Sequence, residues 1–232
     1  MATFLALCQQ VASDSGTING ALPTTVVGQT QRLGKIVRWT NQAWRSIQNA
    51  HGSWRWMQAE FSSGSIVSGT RAYSGSDLGL TRHAEWTFSG REDEERFSIY
   101  LTASGVADEG GLHFRDWSDF YPMFMRGTQT NGRPGYFTIT PENKIALHPI
   151  PDAAYTIRGL YRKTPQDMTA DTDEPEMPAR FHDIIADAAL VALGTHDESM
   201  SQLPLWRLRQ IGLFSELETD QLPRIRLEGA LA

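Results

Sequence analysis

Residues 30–57 read TQRLGKIVRWTNQAWRSIQNAHGSWRWM. Leu33, Ile36, Val37, Ala43, Trp44 and Ile47 recur at three- and four-residue spacings, the period of a helix that buries one stripe. The opposite face carries Gln31, Lys35, Arg38, Gln42, Arg45, Gln48 and Asn49, without a carboxylate pair or a metal-ligand spacing. His51 and Gly52 end the pattern, since glycine just past a helix takes backbone conformations other residues avoid. Trp54 and Trp56, two residues apart, fit one face of an extended chain. The stretch therefore predicts a long amphipathic helix that hands over to a strand.

Towards the N-terminus, Phe4, Leu7, Cys8 and Val11 predict a short helix over residues 3–13 with Thr3 as its cap. A turn-rich connection, residues 15–29, follows it. Beyond residue 57 the apolar period falls to two, and residues 60–67, 84–88, 97–102, 136–140, 144–147 and 155–161 read as strands of an antiparallel sheet. TPENK, residues 140–144, has hairpin-turn chemistry, with Pro141 at its entry and Asn143 suited to a left-handed conformation. Residues 62–82 are rich in Gly and Ser and read as a long excursion. Residues 111–127 predict a short helix capped by Asp116 or Ser118, whose aromatics pack on the sheet in preference to forming a ligand cage.

Residues 164–179, TPQDMTADTDEPEMPA, are rich in proline and carboxylates and read as an exposed connector. After Pro178, Phe181, Ile184, Ile185, Ala188, Ala189 and Ala192 make an apolar stripe ending at Gly194, suited to packing on the residue 33–47 stripe. A last helix over residues 204–219 turns Trp206, Gln210, Leu213, Phe214 and Leu217 to one side, while Leu205, Leu208 and Ile211 fall outside it. A helix apolar on more than one side needs more than one neighbour, which makes Trp206, Leu208 and Ile211 candidate contacts to a second subunit. Residues 220–232 alternate apolar and polar side chains around Pro223, as an extended arm or a frayed terminus would.

The fold class expected is thus α+β: a helical bundle from the N- and C-terminal segments with an inserted antiparallel β-rich domain. The expected parts are residues 1–56, the inserted domain 57–163, the connector 164–179, the helices 180–219 and the arm 220–232.

A length of 232 residues, with 40% apolar and 21% charged, is that of a globular chain with a real core. A net charge of -6 argues against gripping nucleic acid by neutralising phosphates. The one cysteine, Cys8, cannot close an intramolecular disulfide, and its place on an apolar helix face reads as a buried thiol. No signal peptide and no membrane-length apolar run is expected, and synthesis in a cytoplasm follows.

The six histidines do not fall at HExxH, HxH or His/Cys spacings. The densest set of potential ligands, His182, Asp183, Asp187, His196 and Asp197, reads as a solvated helix face. GxSxG, GxxxxGK[ST] and GxGxxG are all missing, and the acidic run 92–95 reads as a turn in water. Catalytic, metal and cofactor residues are expected to be none.

Three segments in this order carry a resemblance: NQAWRSIQNAHGSWRWMQAEF (residues 41–61), GRPGYFTITPENKIALHPIPDAAYTIRGLYRKTP (132–165) and PEMPARFHDIIADAALVALGTHDE (175–198). Together they resemble the adaptor, or head-to-tail connector, proteins of tailed bacteriophages, of the tail-tubular-protein-A-like kind. The resemblance implies a structural virion protein without enzymatic activity, forming a ring, commonly of twelve subunits, at the head-tail junction. Its implied partners are the portal protein, a tail nozzle or other tail protein, and further copies of itself, with DNA passing through the channel. No membrane is implied. On this reading Leu222, Pro223, Ile225 and Leu227 are the candidate portal-docking arm, and Arg38 and Arg45 join the candidate subunit contacts. The segment 62–82 matches no feature of that family. The competing expectation is a tail-associated binding or receptor-recognition module that holds a saccharide through Trp86, Phe114, Trp117, Phe120 and Tyr121. A ring separates the first reading from the second; a cell-wall hydrolase would need a carboxylate essential for turnover, and the sequence nominates none.

Overall fold

The computed structural model describes residues 2–16, 22–88, 96–197 and 201–223. Its helices are α1 (Phe4–Asp14), α2 (Gln31–Ala50), α3 (Trp117–Phe124), α4 (Asp183–His196) and α5 (Leu203–Gln221). Its strands are β1 (Gln58–Ile66), β2 (Ala72–Tyr73), β3 (His83–Thr87), β4 (Ser98–Leu101), β5 (Gly110–Gly111), β6 (His113–Phe114), β7 (Asn131–Gly132), β8 (Tyr136–Ile139), β9 (Ile145–His148), β10 (Ile150–Pro151) and β11 (Tyr155–Lys163). The fold is α+β, as expected. The chain divides into two compact units, one of Met1–Met57 with Pro165–Ala232, the other of Gln58–Thr164.

In the helical unit, Thr3 Oγ1 accepts the Ala6 N–H at 3.2 Å and starts α1, as a β-hydroxyl at this position should. α1 buries Phe4, Leu7, Cys8 and Val11, and α2 buries Ile36, Ala43, Trp44 and Ile47. α4 packs against α1, α2 and α5. This central position explains why it is apolar around most of its circumference, with Ile184, Ile185, Ala189, Leu190 and Leu193 all buried. Gly194 does not stop the helix, which runs to His196. It makes room for Trp206 of α5, since a Cβ at Gly194 would lie 2.8 Å from Trp206 Cζ3.

Two expectations about the ends of α2 and α4 change. Trp54 and Trp56 belong to a turn closed by a 3-10 segment, Arg55–Met57, and the strand begins at Gln58. Trp54 is fully buried, stacks on Trp56 at 4.5 Å between ring centroids, and donates its indole N–H to the Ile47 carbonyl at 2.9 Å. That carbonyl lies in the last turn of α2, where helical partners run out, so the indole both packs and satisfies it. Residues 164–179 are not a free connector either. They strap across the helical unit, burying Met168 and Met177. Gln166 N–H donates to Gln48 Oε1 at 2.7 Å, and Gln48 Nε2 returns a bond to the Gln166 carbonyl at 2.9 Å. Asp171 Oδ1 accepts from the Val26 N–H at 2.5 Å and from Thr25 Oγ1 at 3.1 Å. The carboxylates that suggested solvent thus serve backbone donors.

The β unit holds a sheet ordered β1-β11-β4-β5 with β3 also on β11, a second sheet ordered β2-β9-β8-β6, and a short β7–β10 ladder. β1 runs antiparallel to β11 in a register from Gln58↔Arg162 to Ile66↔Tyr155. The pairs β6–β8 and β7–β10 are parallel, where a single antiparallel sheet was expected. Phe61, Trp86, Phe97, Phe137 and Ile157 are among the residues of its core. Gly159 is needed there by close approach, because a Cβ would meet the Phe97 ring at 2.6 Å. Asn143 takes φ 58 in the 140–144 turn, donating to the Ala84 carbonyl at 2.8 Å while its own carbonyl accepts the Trp86 indole at 3.1 Å. The segment 62–82 is not one loop: β1 extends into it as far as Ile66, and β2 hooks onto β9. Tyr73 is buried, with its hydroxyl against the Thr70 and Val67 carbonyls at 2.8 and 3.1 Å.

Candidate assembly surface

α5 presents two faces. Trp206 and Leu217 are buried in the core of the helical unit, and Leu213 and Phe214 pack partly against it. Leu205, Leu208 and Ile211 are 54%, 70% and 66% exposed, which makes them the largest apolar side chains this helix leaves to solvent. Of the three expected contacts on this helix, Trp206 therefore lies inside its own unit, and the exposed apolar surface is carried by Leu208 and Ile211 with Leu205. Polar contacts fix the helix: His51 Nε2 meets Glu218 Oε1 at 2.7 Å, Arg180 pairs with Asp220, and Arg209 Nη2 lies 3.3 Å from Asp187 Oδ1.

Between α2 and α5 runs a groove of ≈ 550 Å³ with Ala188 of α4 in its floor, lined by Ala43, Ser46 and Ala50 on one side and Ile211, Phe214 and Ser215 on the other. A second cavity of ≈ 280 Å³ shares Ala43, Ser46, Ala188 and Gln210 with it and extends it past Ala192 to Trp39 and Gln42. Small side chains on α4 create this depression, since nothing longer than a methyl group rises between the flanking helices there.

The polar face of α2 carries Arg32, Lys35, Arg38 and Arg45 and no carboxylate. Arg45 is paired within the unit, with Nη2 and Nε at 2.5 and 3.0 Å from Asp167 Oδ1. Arg32 pairs with Asp197 at 2.5 Å and holds that carboxyl below its usual range. Lys35 Nζ meets His196 Nε2 at 3.0 Å. Arg38 is exposed and has no ion pair among the described residues. The chain beyond α5 turns extended at Leu222, which packs partly on the helical core and donates its N–H to the Glu218 carbonyl at 3.0 Å. Pro223 is exposed, and Ile225 and Leu227 lie outside the described residues.

The acidic and histidine residues of α4 are dispersed, and no group of three potential metal ligands occurs among the described residues. His182 is buried and bridges Ala2 N–H, at 3.3 Å from Nδ1, and the Met177 carbonyl, at 3.1 Å from Nε2. Asp187 is not on a solvated face, as expected, but buried. Burial raises its pKa, Arg209 opposes the rise, and Asp183 and Asp14 add to it. Sequence spacing alone did not reveal it, because a carboxylate four residues from Asp183 on a helix looks like its solvated neighbour. Burial also pushes the Cys8 thiol up to about 12, so this cysteine packs and does not react.

The aromatics that a saccharide site would need are dispersed as well. Trp86 is buried in the core of the β unit, Phe120 is buried, and Phe114 stacks on Phe88 at 4.2 Å. Trp117 and Tyr121 form one surface pair on α3 at 5.4 Å. No helix among the described residues is long and apolar enough to cross a membrane. Residues 2–226 match the family model described as SU10 adaptor protein. No curated protein matches the chain significantly.

Proposed function

The chain belongs to the SU10 adaptor protein family, and on that premise we propose that it forms a ring, of twelve subunits, joining the portal to the tail of a phage. The family is one of structural adaptor proteins of bacteriophages, so the chain is a virion component that works with other head and tail proteins. The finer reading is that the ring, of the tail-tubular-protein-A-like kind, docks below the portal at the head-tail junction and presents a platform to a tail nozzle or other tail protein. DNA passes through its lumen without sequence-specific binding, which a chain of net charge -6 suits.

The observation that carries this reading is the outward face of α5. Leu205, Leu208 and Ile211 stand exposed on a helix whose other side is already packed, and an apolar face of that kind is left for a partner. The arm 220–232, with Leu222, Pro223, Ile225 and Leu227, is the proposed contact to the portal, since a sequence that alternates apolar and polar side chains around a proline can add along another protein's surface.

The test is native mass spectrometry and electron microscopy of the full chain, alone and mixed with its portal. Rings, in either setting, support the reading. A protein that remains monomeric or trimeric in both and binds glycans overturns it.

A further inference from the structure

We propose that residues 67–82 form a latch on the β unit that mild acid releases, because two histidines, His83 and His148, must stay uncharged for it to remain seated. The latch lies wholly within the β unit, and it stands or falls independently of ring formation.

Little backbone pairing holds the segment. β2 meets β9 over two residues, Ala72↔Ala146 and Tyr73↔Ile145, at the edge of its sheet. A ladder that short is marginal by itself, so side chains decide whether the segment stays down. Tyr73 and Leu78 are buried in the β core. The imidazole of His83 lies directly against Gly75, where a Cβ would come within 2.6 Å of His83 Cγ. It also packs on Trp86 at 4.0 Å between ring centroids, and its Nε2 is buried without a hydrogen-bond partner. His148 stacks on Phe124 of α3 at 4.0 Å, and its Nδ1 is likewise buried and unpartnered. The charge acting on His148 is Arg71, just before β2. That guanidinium donates to Met125 Sδ at 2.8 Å and Gln129 Oε1 at 2.5 Å, and it has no ion pair among the described residues.

A neutral imidazole suits both places and an imidazolium suits neither. Burial lowers the pKa of His83, and Glu85 on its own strand opposes the change. Lys163 faces His83 in the β11 ladder, and the Tyr161 ring lies 6.0 Å away. Arg82 donates to the Thr164 carbonyl, Arg162 pairs with Glu85, and Asp77 of the turn accepts from the Ser74 N–H and hydroxyl. Burial also lowers the pKa of His148, and Arg71 adds to the effect. Tyr136 faces it across β8, and α3 presents the rings of Phe120 and Phe124, so among the described residues no carboxylate offsets Arg71 there. A base whose folded pKa is lowered contributes its stability above the unfolded value of about 6.5 and loses it as pH falls through the folded one. Acid therefore favours the state in which both rings reach water. Lifting residues 67–82 produces that state, since it uncovers His83 and takes Arg71 away from His148. It also bares the edge of β9, where Ile145 and Ala146 lose their partner strand. Asp187 of the helical unit has the opposite sign, because burial raises its pKa, so the two units respond to acid differently.

The test is amide hydrogen exchange of the full chain, read by mass spectrometry at pH 7.5 and pH 5 with rates corrected for the intrinsic pH dependence of exchange. Peptides across residues 67–82 are expected to lose at least about tenfold in protection at pH 5, while those of α4 keep theirs. The double variant His83→Phe with His148→Phe keeps two rings that cannot ionise. Once circular dichroism shows it natively folded at pH 7.5, it should no longer lose that protection in acid. Exchange of the imidazole carbon-bound hydrogens against pH, also read by mass spectrometry, follows each histidine in the native chain without any substitution. His83 and His148 are expected to titrate below about 6.5. The latch is overturned if residues 67–82 are as protected at pH 5 as at pH 7.5, or if the whole β unit opens with them. It is overturned equally if the double variant opens in acid as the native chain does, or if either histidine titrates at its ordinary value.

Discussion

Asp187 is a carboxylate inside the helical unit with neither oxygen hydrogen-bonded among the described residues, and its one counter-charge is Arg209 at 3.3 Å. Removing an acid from water favours its neutral form, and here that desolvation outweighs Arg209, so the folded-state pKa stands above the unfolded one. The sign follows from linkage: such a group stabilises the fold fully below its unfolded pKa of about 3.9 and loses that contribution as pH rises through the folded value. Asp187→Asn is therefore expected to melt at or above the native temperature at neutral pH, by roughly 2–4 °C, which is what about 1 kcal/mol produces in a protein of this size. The gap should shrink towards pH 4. Arg209→Gln is expected to do the reverse, costing more at pH 7 than at pH 4, because it strands a buried charge only where that charge exists. Melting curves against pH for the three proteins check both signs; parallel curves would mean that Asp187 does not ionise differently on folding.

At the scale of elements, the α4–α5 contact depends on the absence of a side chain at Gly194. An alanine there would place its Cβ 2.8 Å from Trp206 Cζ3, against a rigid ring whose other side is held by the core. Gly194→Ala is expected to cost about 1–3 kcal/mol, the usual range for overpacking a filled interior. It should lower the urea midpoint without changing the slope of the transition. This glycine also shows where sequence reading stops. Apolar spacing made the two sides of α5 legible, with Leu217 in and Leu205, Leu208 and Ile211 out, but it did not show that Trp206, expected at a subunit contact, is buried in its own unit. The same rule reads Gly194 as a helix end, since a glycine that ends a helix and one that admits an indole look alike until the indole is placed. The strap failed for a related reason: proline and acid content signals solvent, whereas Met168, Met177 and Asp171 find partners more than a hundred residues away in sequence. The hairpin at residues 140–144 was readable because every determinant is local, down to Asn143 in its left-handed conformation. The groove was not, because it exists only where Ala43, Ala188 and Ile211 from three helices come together.

At the scale of the whole molecule, the pairing of β1 with β11 decides how the two units can be separated. Gln58 lies opposite Arg162 in an antiparallel ladder, where facing Cα atoms are about 4.5–5.5 Å apart. The chain therefore enters the β unit and leaves it at neighbouring points, and each unit keeps its own apolar core. A unit with its own core and adjacent ends should fold without its host. Residues 58–164 expressed alone are expected to show a single cooperative denaturation with the aromatic circular dichroism of a packed core. Residues 1–57 joined to 165–232 by a few Gly and Ser residues should do the same with a helical spectrum. If either piece is molten, the units depend on each other and the chain is one cooperative body. The joined helical piece carries a second consequence, because the exposed apolar face of α5, with Leu205, Leu208 and Ile211, lies within it. It should assemble with the same subunit number as the full chain, since that face draws no residue from the β unit. Loss of assembly in a well-folded helical piece would place part of the subunit contact on the β unit instead.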